Sequence, residues 1–487
     1  MQDLTHLLDR LSGKRLVVVG DVMLDRYVWG EAERVSPEAP VLVLREDQDE
    51  VRPGGAANVA SFLRALDAEV VLAGVVGDDA EGHALRRVME DLAVDSSALL
   101  TDAERPTTTK LRIVGRTAQR QPHQMLRIDR ESRIPISTDL QQRLIECLLA
   151  TVPRCDAVLV SDYGKGVCSP IVLRAVIDHA KCQRIPVLID PARGGDFQRY
   201  CQATTLTPNR AATELFLGKS LRHPEEMRDA ARQLREQLCL DTAVLTLDQD
   251  GLAYATAIES GLVPCRPREV CDVTGAGDMV LAVLGLCQAA QIPLVDSLQL
   301  ANTAAGLEVE RFGVEPLARG DIARELVRGH RESAFPVTLD QLLVQVQAHR
   351  RAGRSIVFTN GCFDLLHVGH VTVLEEAARL GDVLIVAINS DASVQRLKGT
   401  ERPIIGETDR ARMLAALACV DHVLVFDDDT PVRLLNALRP DVLVKGGSTD
   451  HIVGREIVEA YGGKVVRTSE IPGMSTTRLV RQLRSSD

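Results

Sequence analysis

Short apolar, β-branched runs recur along the chain at Leu16–Val19, Val70–Val76, Ala157–Val160, Pro186–Ile189 and Ala243–Leu247, with helical patterns between them. That alternation predicts parallel strands covered by helices, an α/β fold. The richest apolar stretch, Met279–Ala290, reads as a buried helix and is too short for a membrane span. After Pro316 the character changes: Arg319–Arg331 is rich in arginine and glycine, and Ser333-Ala334-Phe335-Pro336 interrupts before a new helical pattern near Leu339. A second series follows, with strands at Ser355–Thr359, Val383–Asn389, His422–Phe426 and Val442–Val444 and a helix at Val371–Arg379. The pattern predicts two domains, 1–330 and 346–487, joined by a linker at 331–345.

One segment breaks the rhythm. From Thr107 to Asp129 the chain reads as short alternating strands carrying Lys110, Arg112, Arg116, Arg120 and Arg127. It predicts a small antiparallel sheet outside the main layer, either a lid or a solvated sheet with protective edge charges.

Composition narrows the function classes. With 57 Lys+Arg against 68 Asp+Glu the net charge is −11, which argues against a non-specific nucleic-acid binder. Phosphorylated substrates remain open, because backbone amides and a few cations hold them. Hydrophobic residues at 45% and charged ones at 26% exclude wholesale disorder. Met1–Arg15 has no signal-like apolar stretch, and no membrane partner is expected. Eleven cysteines are scattered, and the closest pair, Cys265 and Cys271, forms no metal knuckle. They read as reduced, buried thiols of a cytoplasmic protein.

The strongest chemical signal in the first half is Asp272-Val273-Thr274-Gly275-Ala276-Gly277-Asp278, running into the apolar helix. Glycines before a helix let backbone N–H groups converge on an anion, helped by the helix dipole. An aspartate closing that loop is placed to take a proton from an attacking hydroxyl during phosphoryl transfer. Near the N-terminus, Gly20-Asp21 and Asp25 end the first strand, and Gly54-Gly55-Ala56-Ala57-Asn58 opens another helix. Asp21 and Asp25 suit sugar hydroxyls or, equally, turns and caps.

The set and its order resemble the ribokinase-type carbohydrate kinase family over about residues 10–318. The resemblance implies a large α/β domain with a β-sheet lid over the sugar. Asp278 would be the general base and Gly275, Ala276 and Gly277 the anion hole. Asp21, Asp25, Gly54, Gly55, Asn58, Lys110 and Arg112 would hold the sugar. Asn209, followed by Arg210, Ala211 and Ala212, matches the family's nucleotide-side Asn-x-x-Glu motif, except that Ala212 stands where glutamate is expected. Glu214 is the nearest acid, a candidate for organising Mg²⁺ through water. Asp248, Gly251 and Asn302 lie in stretches resembling the adenosine-binding rim. Asp162 and Lys165 follow a strand, as a phosphate or sugar contact or as a surface pair in a turn.

In the second half, Thr359-Asn360-Gly361-Cys362-Phe363-Asp364-Leu365-Leu366-His367-Val368-Gly369-His370 follows a strand and enters a helix. Chance His-x-Gly-His matches number about 0.02 for this composition. Two imidazoles at a helix N-terminus can hydrogen-bond triphosphate oxygens as charge builds at the α-phosphorus. Three-residue spacing also permits a metal pair, although no third ligand is evident nearby. The motif resembles the cytidylyltransferase-like nucleotidyl transferase family, which implies a Rossmann-like domain. Asn389 and Asp391, Lys398, Arg410, and Lys445-Gly446-Gly447 stand in matching order. Ser475-Thr476-Thr477 would open the last helix and, in the family, grips the β- and γ-phosphates. Arg410 could equally be a surface arginine.

Together the halves resemble bacterial bifunctional enzymes that act as heptose 7-phosphate kinase and heptose 1-phosphate adenylyltransferase. The resemblance implies ADP-heptose synthesis for the lipopolysaccharide inner core, with ATP and Mg²⁺ at both sites, sugar phosphates as the other substrates and a homodimer as the assembly. Lid cations are expected to meet the phosphate already on the sugar. Two other readings stay open: the same parts acting on another sugar or a coenzyme precursor, and one half serving as a non-catalytic nucleotide-binding module.

Overall fold

The computed structural model describes residues 4–117, 120–194, 196–266, 268, 270–311, 313–333, 337–351, 353–446 and 452–468. The chain divides into two compact units, Leu4–Arg324 and Glu325–Asp487.

In the first unit the β-branched runs build a nine-stranded sheet. Its order is Ser260–Val263, Leu252–Ala255, Thr242–Thr246, Thr205–Leu206, Val187–Asp190, Ala157–Ser161, Arg15–Gly20, Glu69–Gly77, Leu99–Asp102. Strands from Thr242–Thr246 to Leu99–Asp102 run parallel, and the other two turn back antiparallel. All five runs expected from the sequence are strands in it. The central strand Arg15–Gly20 lies between partners reached in opposite directions, the switch point at which open α/β sheets form a crevice at the strands' carboxyl ends. Register aligns Gly20 with Ser161 and Ser161 with Asp190, so Asp21, Asp162 and Asp190 gather along one edge. A Cβ on Gly20 would lie 2.0 Å from the Ser161 carbonyl oxygen, which reserves that position for glycine. Helix Ala276–Ala289 is buried continuously from Asp278 to Cys287, as its sequence predicts.

The segment expected as a small antiparallel sheet is part of a larger, mixed one. Strands Leu42–Gly55, Val22–Val35, Thr108–Thr117 and Arg120–Arg130 form a separate four-stranded sheet in that order. The outer pairings are antiparallel, whereas Val22–Val35 pairs with Thr108–Thr117 in parallel. The hydropathy pattern misses the first two strands because Leu42–Gly55 is largely solvated and carries charge on both faces, so no period-two alternation survives.

The second unit is a five-stranded parallel sheet, ordered His422–Phe426, Val383–Asn389, Ile356–Gly361, Val442–Lys445, Lys464–Arg467. The last strand is short and half exposed, and the sequence pattern predicts none there. The expected linker also differs. Helix Arg319–Ser333 extends into it, and helix Leu339–Arg351 begins within it. Leu342 and Val346 of that second helix are buried with Ile356 and Phe358, so apolar burial draws the segment into the second unit's core.

All eleven cysteines are free, as expected, but only Cys155, Cys168 and Cys287 are buried; Cys182, Cys239 and Cys271 are exposed. Among the described residues no helix is long and apolar enough to cross a membrane.

Candidate active sites

In the first unit the geometry centres on Asp278, 4% exposed in the first turn of helix Ala276–Ala289. Gly275 adopts φ +91° and turns the chain into that helix, presenting the amides of its first turn at the N-terminal end. The Asn58 amide donates to Asp278 Oδ2 at 2.7 Å and the Tyr163 hydroxyl donates to Oδ1 at 3.0 Å. Burial pushes the Asp278 carboxyl up to about 6, against the lowering effect of those two donors and of Lys110. The result is a carboxylate poised just below neutral pH, suited to a general base. The Lys110 ammonium lies 5.1 Å from the centre of the Tyr163 ring.

Asp25, Gly54, Arg112 and Asn58 also fall in this region. Arg112 Nη1 meets Asp25 Oδ1 at 2.7 Å, and both residues are buried. A Cβ on Gly54 would touch the Asp25 carboxyl at 3.1 Å. Arg112 and Arg52 stack on Tyr27, each 5.1 Å from its ring centre. The charge of Arg112 is therefore matched by Asp25. Arg127 is likewise paired, with Asp129 at 2.9 Å. The side chains of Arg116 and Arg120 lie outside the described residues. Asp21 is engaged within the fold as well. Its carboxylate accepts the N–H groups of Tyr163, Lys165 and Val167 at 2.9, 2.8 and 3.1 Å, so it organises the 163–167 loop rather than offering free acceptors to a sugar. Asp162 is engaged too, by Arg199 at 2.6 Å and the Tyr200 hydroxyl at 2.8 Å, and Lys165 pairs with Glu131.

The residues expected at the nucleotide rim come together at the same sheet edge. Asn209 caps helix Arg210–Leu217 by accepting from Ala212 N–H at 2.9 Å, and Asn209 bridges to Thr246. Arg210 reaches Asp248 at 3.4 Å and pairs with Asp250. Asn302 donates to Pro264 O at 2.9 Å, beside Gly251, where a Cβ would strike Val263 O. Ala211 is exposed on this helix and Ala212 buried. Glu214 is engaged locally. It accepts from Leu221 N–H at 2.7 Å through one carboxylate oxygen and closes the loop after its own helix. Asp190 approaches the turn, 3.8 Å from a Cβ position on Gly277, and is raised well above the usual range by burial and by Asp278.

In the second unit His367 caps helix Val368–Ala378 from an extended conformation, with Gly369 and His370 in the first turn. The two imidazoles stack with centres 3.9 Å apart, and Phe363, at φ +46°, tilts against His370 at 5.1 Å. Burial, with His367 and Lys398 adding to it, lowers His370 to about 4; burial lowers His367 as well. Both rings are thus neutral donors at physiological pH. Lys445 donates to Asn360 O at 3.0 Å, joining two neighbouring strand ends, and Gly446 follows it. Gly361 lies against the Phe363 ring.

Other expected contacts of this half are structural. Arg410 is fully buried, donating to Cys362 O, Asn389 O and Ile405 O at 2.6, 2.9 and 2.9 Å and pairing with Asp391 at 2.6 Å. It clamps the strand ends and is neither a surface arginine nor a free triphosphate contact. Asn389 is buried and donates to Ser393 Oγ at 3.0 Å; Asp364 is tied to Arg402 and to Ile404 N–H. Gly447, Ser475, Thr476 and Thr477 lie outside the described residues. Among the described residues no cluster of His, Cys, Asp and Glu is arranged to hold a metal ion by itself.

Sequence reasoning missed Tyr163, Asp190, Arg52 and Glu308. Tyr163 sits inside a loop already singled out, and Glu308 is an acid within an apolar helix, a signal that was present in the sequence. Asp190 and Arg52 become neighbours of the site only through the fold.

Comparison with known proteins matches residues 14–318 to the pfkB family carbohydrate kinase model and residues 358–482 to the cytidylyltransferase-like model. The bifunctional protein HldE of Pelobacter propionicus is 42% identical over 486 residues, 99% of this chain and 98% of that protein. The bifunctional protein HldE of Geobacter sulfurreducens is 44% identical over 471 residues, 96% of this chain and 95% of that one. Among solved structures, the tetrameric inhibited form of Escherichia coli phosphofructokinase-2 superposes with a TM-score of 0.53 at 18% identity, covering 65% of this chain and 99% of its own, a likeness of fold.

Proposed function

Because the chain belongs to the family of bifunctional HldE proteins, a pfkB family carbohydrate kinase joined to a cytidylyltransferase-like half, we propose a role for each site residue in its two reactions. The enzyme is a carbohydrate kinase and an adenylyltransferase of ADP-heptose synthesis. In the first reaction O1 of heptose 7-phosphate attacks the γ-phosphorus of ATP, its proton passes to Asp278, and ADP leaves with the 1,7-bisphosphate formed. In the second, a phosphate oxygen of heptose 1-phosphate attacks the α-phosphorus of ATP and pyrophosphate leaves, giving ADP-heptose.

The observation that carries the kinase assignment is the Asp278 carboxylate, buried beside the Gly275–Gly277 turn and held by Asn58 and Tyr163. The amides of that turn take the developing phosphoryl charge, and the donors keep the carboxylate ionised enough to accept a proton. Asp25, Gly54 and Lys110 line the sugar's approach, and the rim from Asn209 to Asn302 receives the adenosine. Mg²⁺ carried on the triphosphate would supply screening of its charge. Asp190, at the edge of the turn, would be a carboxylate available to that cation. In the transferase half, neutral His367 and His370 donate to the α-phosphate oxygens at the helix N-terminus, with Lys398 and Lys445 adding positive charge. We further propose a cytoplasmic homodimer with domain limits near those of the two matched families.

Phosphorus NMR tests the reading. With Mg-ATP, heptose 7-phosphate should give the 1,7-bisphosphate, and heptose 1-phosphate should give ADP-heptose with pyrophosphate. Asp278→Asn should lose the first product and keep the second; loss of both with the fold intact would overturn the two-site assignment.

A further inference from the structure

Helix Leu294–Glu308 ends beneath the Gly275 turn, and its last residue is a carboxylic acid with no exposed surface. Glu308 Oε1 accepts from Glu315 N–H at 3.2 Å and lies 3.3 Å from where a Cβ on Gly275 would stand. The Asn58 amide nitrogen, which holds Asp278, lies 3.5 Å from that same point. Glu308 Oε2 is buried and has no hydrogen-bond partner among the described residues. The surrounding backbone is stitched together: Val309 O accepts from Cys271 and Asp272, and Asp272 accepts from Thr274 N–H and Gly313 N–H. The carboxyl is therefore a strut between the turn that receives phosphate and the 313–315 loop.

An ionised Glu308 would be poorly compensated. Arg311 lowers it, but Glu315 and Asp278 both oppose its charge, and burial pushes it up to about 7. Arg311 is itself shared with Asp321 at 3.3 Å and Glu315 at 4.0 Å, and Arg52 is taken by Glu50 at 2.6 Å. Arg268, the cation beside Gly306, pairs with Glu310 at 2.9 Å. From helix Ala56–Ala65 the facing group is Asn58, already committed to Asp278.

We propose that Glu308 is a positioning residue for phosphoryl transfer: its neutral carboxyl braces the Gly275 turn, and its ionisation sets a negative charge against the amides that must receive the phosphoryl group. This rests on the reading of Gly275–Gly277 as the anion hole. Neutral, the acid keeps its acceptor for Glu315 N–H and adds no charge. Ionised, it competes with the incoming phosphate for the same local positive potential.

The test is the kinase pH profile of Glu308→Gln, Glu308→Ala and Asp278→Asn, with calorimetric unfolding of the Leu4–Arg324 unit as the report on folding and adenylyl transfer as the concentration standard. The wild-type kinase kcat should decline on the alkaline side, and Glu308→Gln, which keeps an acceptor and cannot ionise, should abolish that decline. Glu308→Ala, which removes the strut, should lower kinase kcat on the order of 10- to 100-fold at every pH with a smaller change in the sugar KM. An alkaline decline unchanged in Glu308→Gln, or a wild-type kcat in Glu308→Ala, would overturn the proposal. Kinase activity surviving in Asp278→Asn would instead overturn the reading of the turn on which it rests.

Discussion

Removing the Tyr163 hydroxyl isolates the part of Asp278 basicity that a single hydrogen bond supplies. The hydroxyl donates to Oδ1 at 3.0 Å inside a buried site, and the acid stands at about 6 with the bond in place. A hydrogen bond to a charged group contributes about 1.5–3 kcal/mol, and about 1.4 kcal/mol corresponds to one pKa unit. Tyr163→Phe should therefore raise the Asp278 carboxyl by about 1–2 units, to about 7–8. The sign follows from the role: a general base must be ionised, so a higher value costs activity at low pH and nothing well above it. At about pH 6.5 the ionised fraction falls from about three-quarters to between about a quarter and a thirtieth, a loss of about 3- to 25-fold in kinase kcat. At about pH 9 the variant should recover nearly the wild-type rate. The assay is ADP release with heptose 7-phosphate over the pH range, with adenylyl transfer as the internal standard. An acid limb unmoved from the wild type, with the rate reduced equally at every pH, would refute the argument.

Three further outcomes follow from the geometry. His367→Ala should abolish adenylyl transfer while sparing the kinase, read by pyrophosphate release and by ADP release on one sample. Arg410→Leu should destabilise the second unit by about 3 kcal/mol or more, because it strips the partner from three backbone carbonyls, two of them at strand ends, and from Asp391. Calorimetry should show that unit's Tm lowered by about 10 °C, since one kcal/mol is worth about 2–4 °C at this size; an unchanged Tm with a raised KM for ATP would make Arg410 a substrate contact instead. Folding keeps His349 and His370 neutral down to about 4, whereas unfolded imidazoles protonate near 6.5. The second unit should therefore keep its stability above about pH 6.5 and lose it as pH falls toward about 4, measured by urea unfolding.

The strand runs, the buried helix after Asp278 and the His367–His370 helix start were legible because each rests on local signals, apolar periodicity or glycine before a helix. Contacts between distant segments were not. That Asp21 serves the 163–167 loop, that Arg112 is neutralised by Asp25, and that Arg410 is sealed inside the second unit depend on which strand ends the topology sets side by side. A charged residue in a motif carries the same letter whether its partner is a ligand or a carbonyl of its own chain. Ala212 shows the converse: the departure was plain in the sequence, but a carboxylate that reaches the turn, Asp190, belongs to a strand that no motif names.

The four-stranded sheet is rooted in the core with almost no slack. Strand Val22–Val35 leaves one residue after Gly20, and strand Leu42–Gly55 passes directly into helix Ala56–Ala65, which carries Asn58. Fourteen extended residues make a lever of about 45 Å. Its fulcrum is the Asp21–Gly55 junction, where Ala56 N–H bonds Asp21 O at 3.1 Å and Asp21 itself is anchored to the 163–167 loop. A small rotation at that fulcrum sweeps the far tip through many ångströms while shifting Asn58 and Tyr163, the two groups gripping Asp278, by fractions of one. A lever of these proportions would reduce any displacement of its tip to a far smaller one at Asn58, which holds the base.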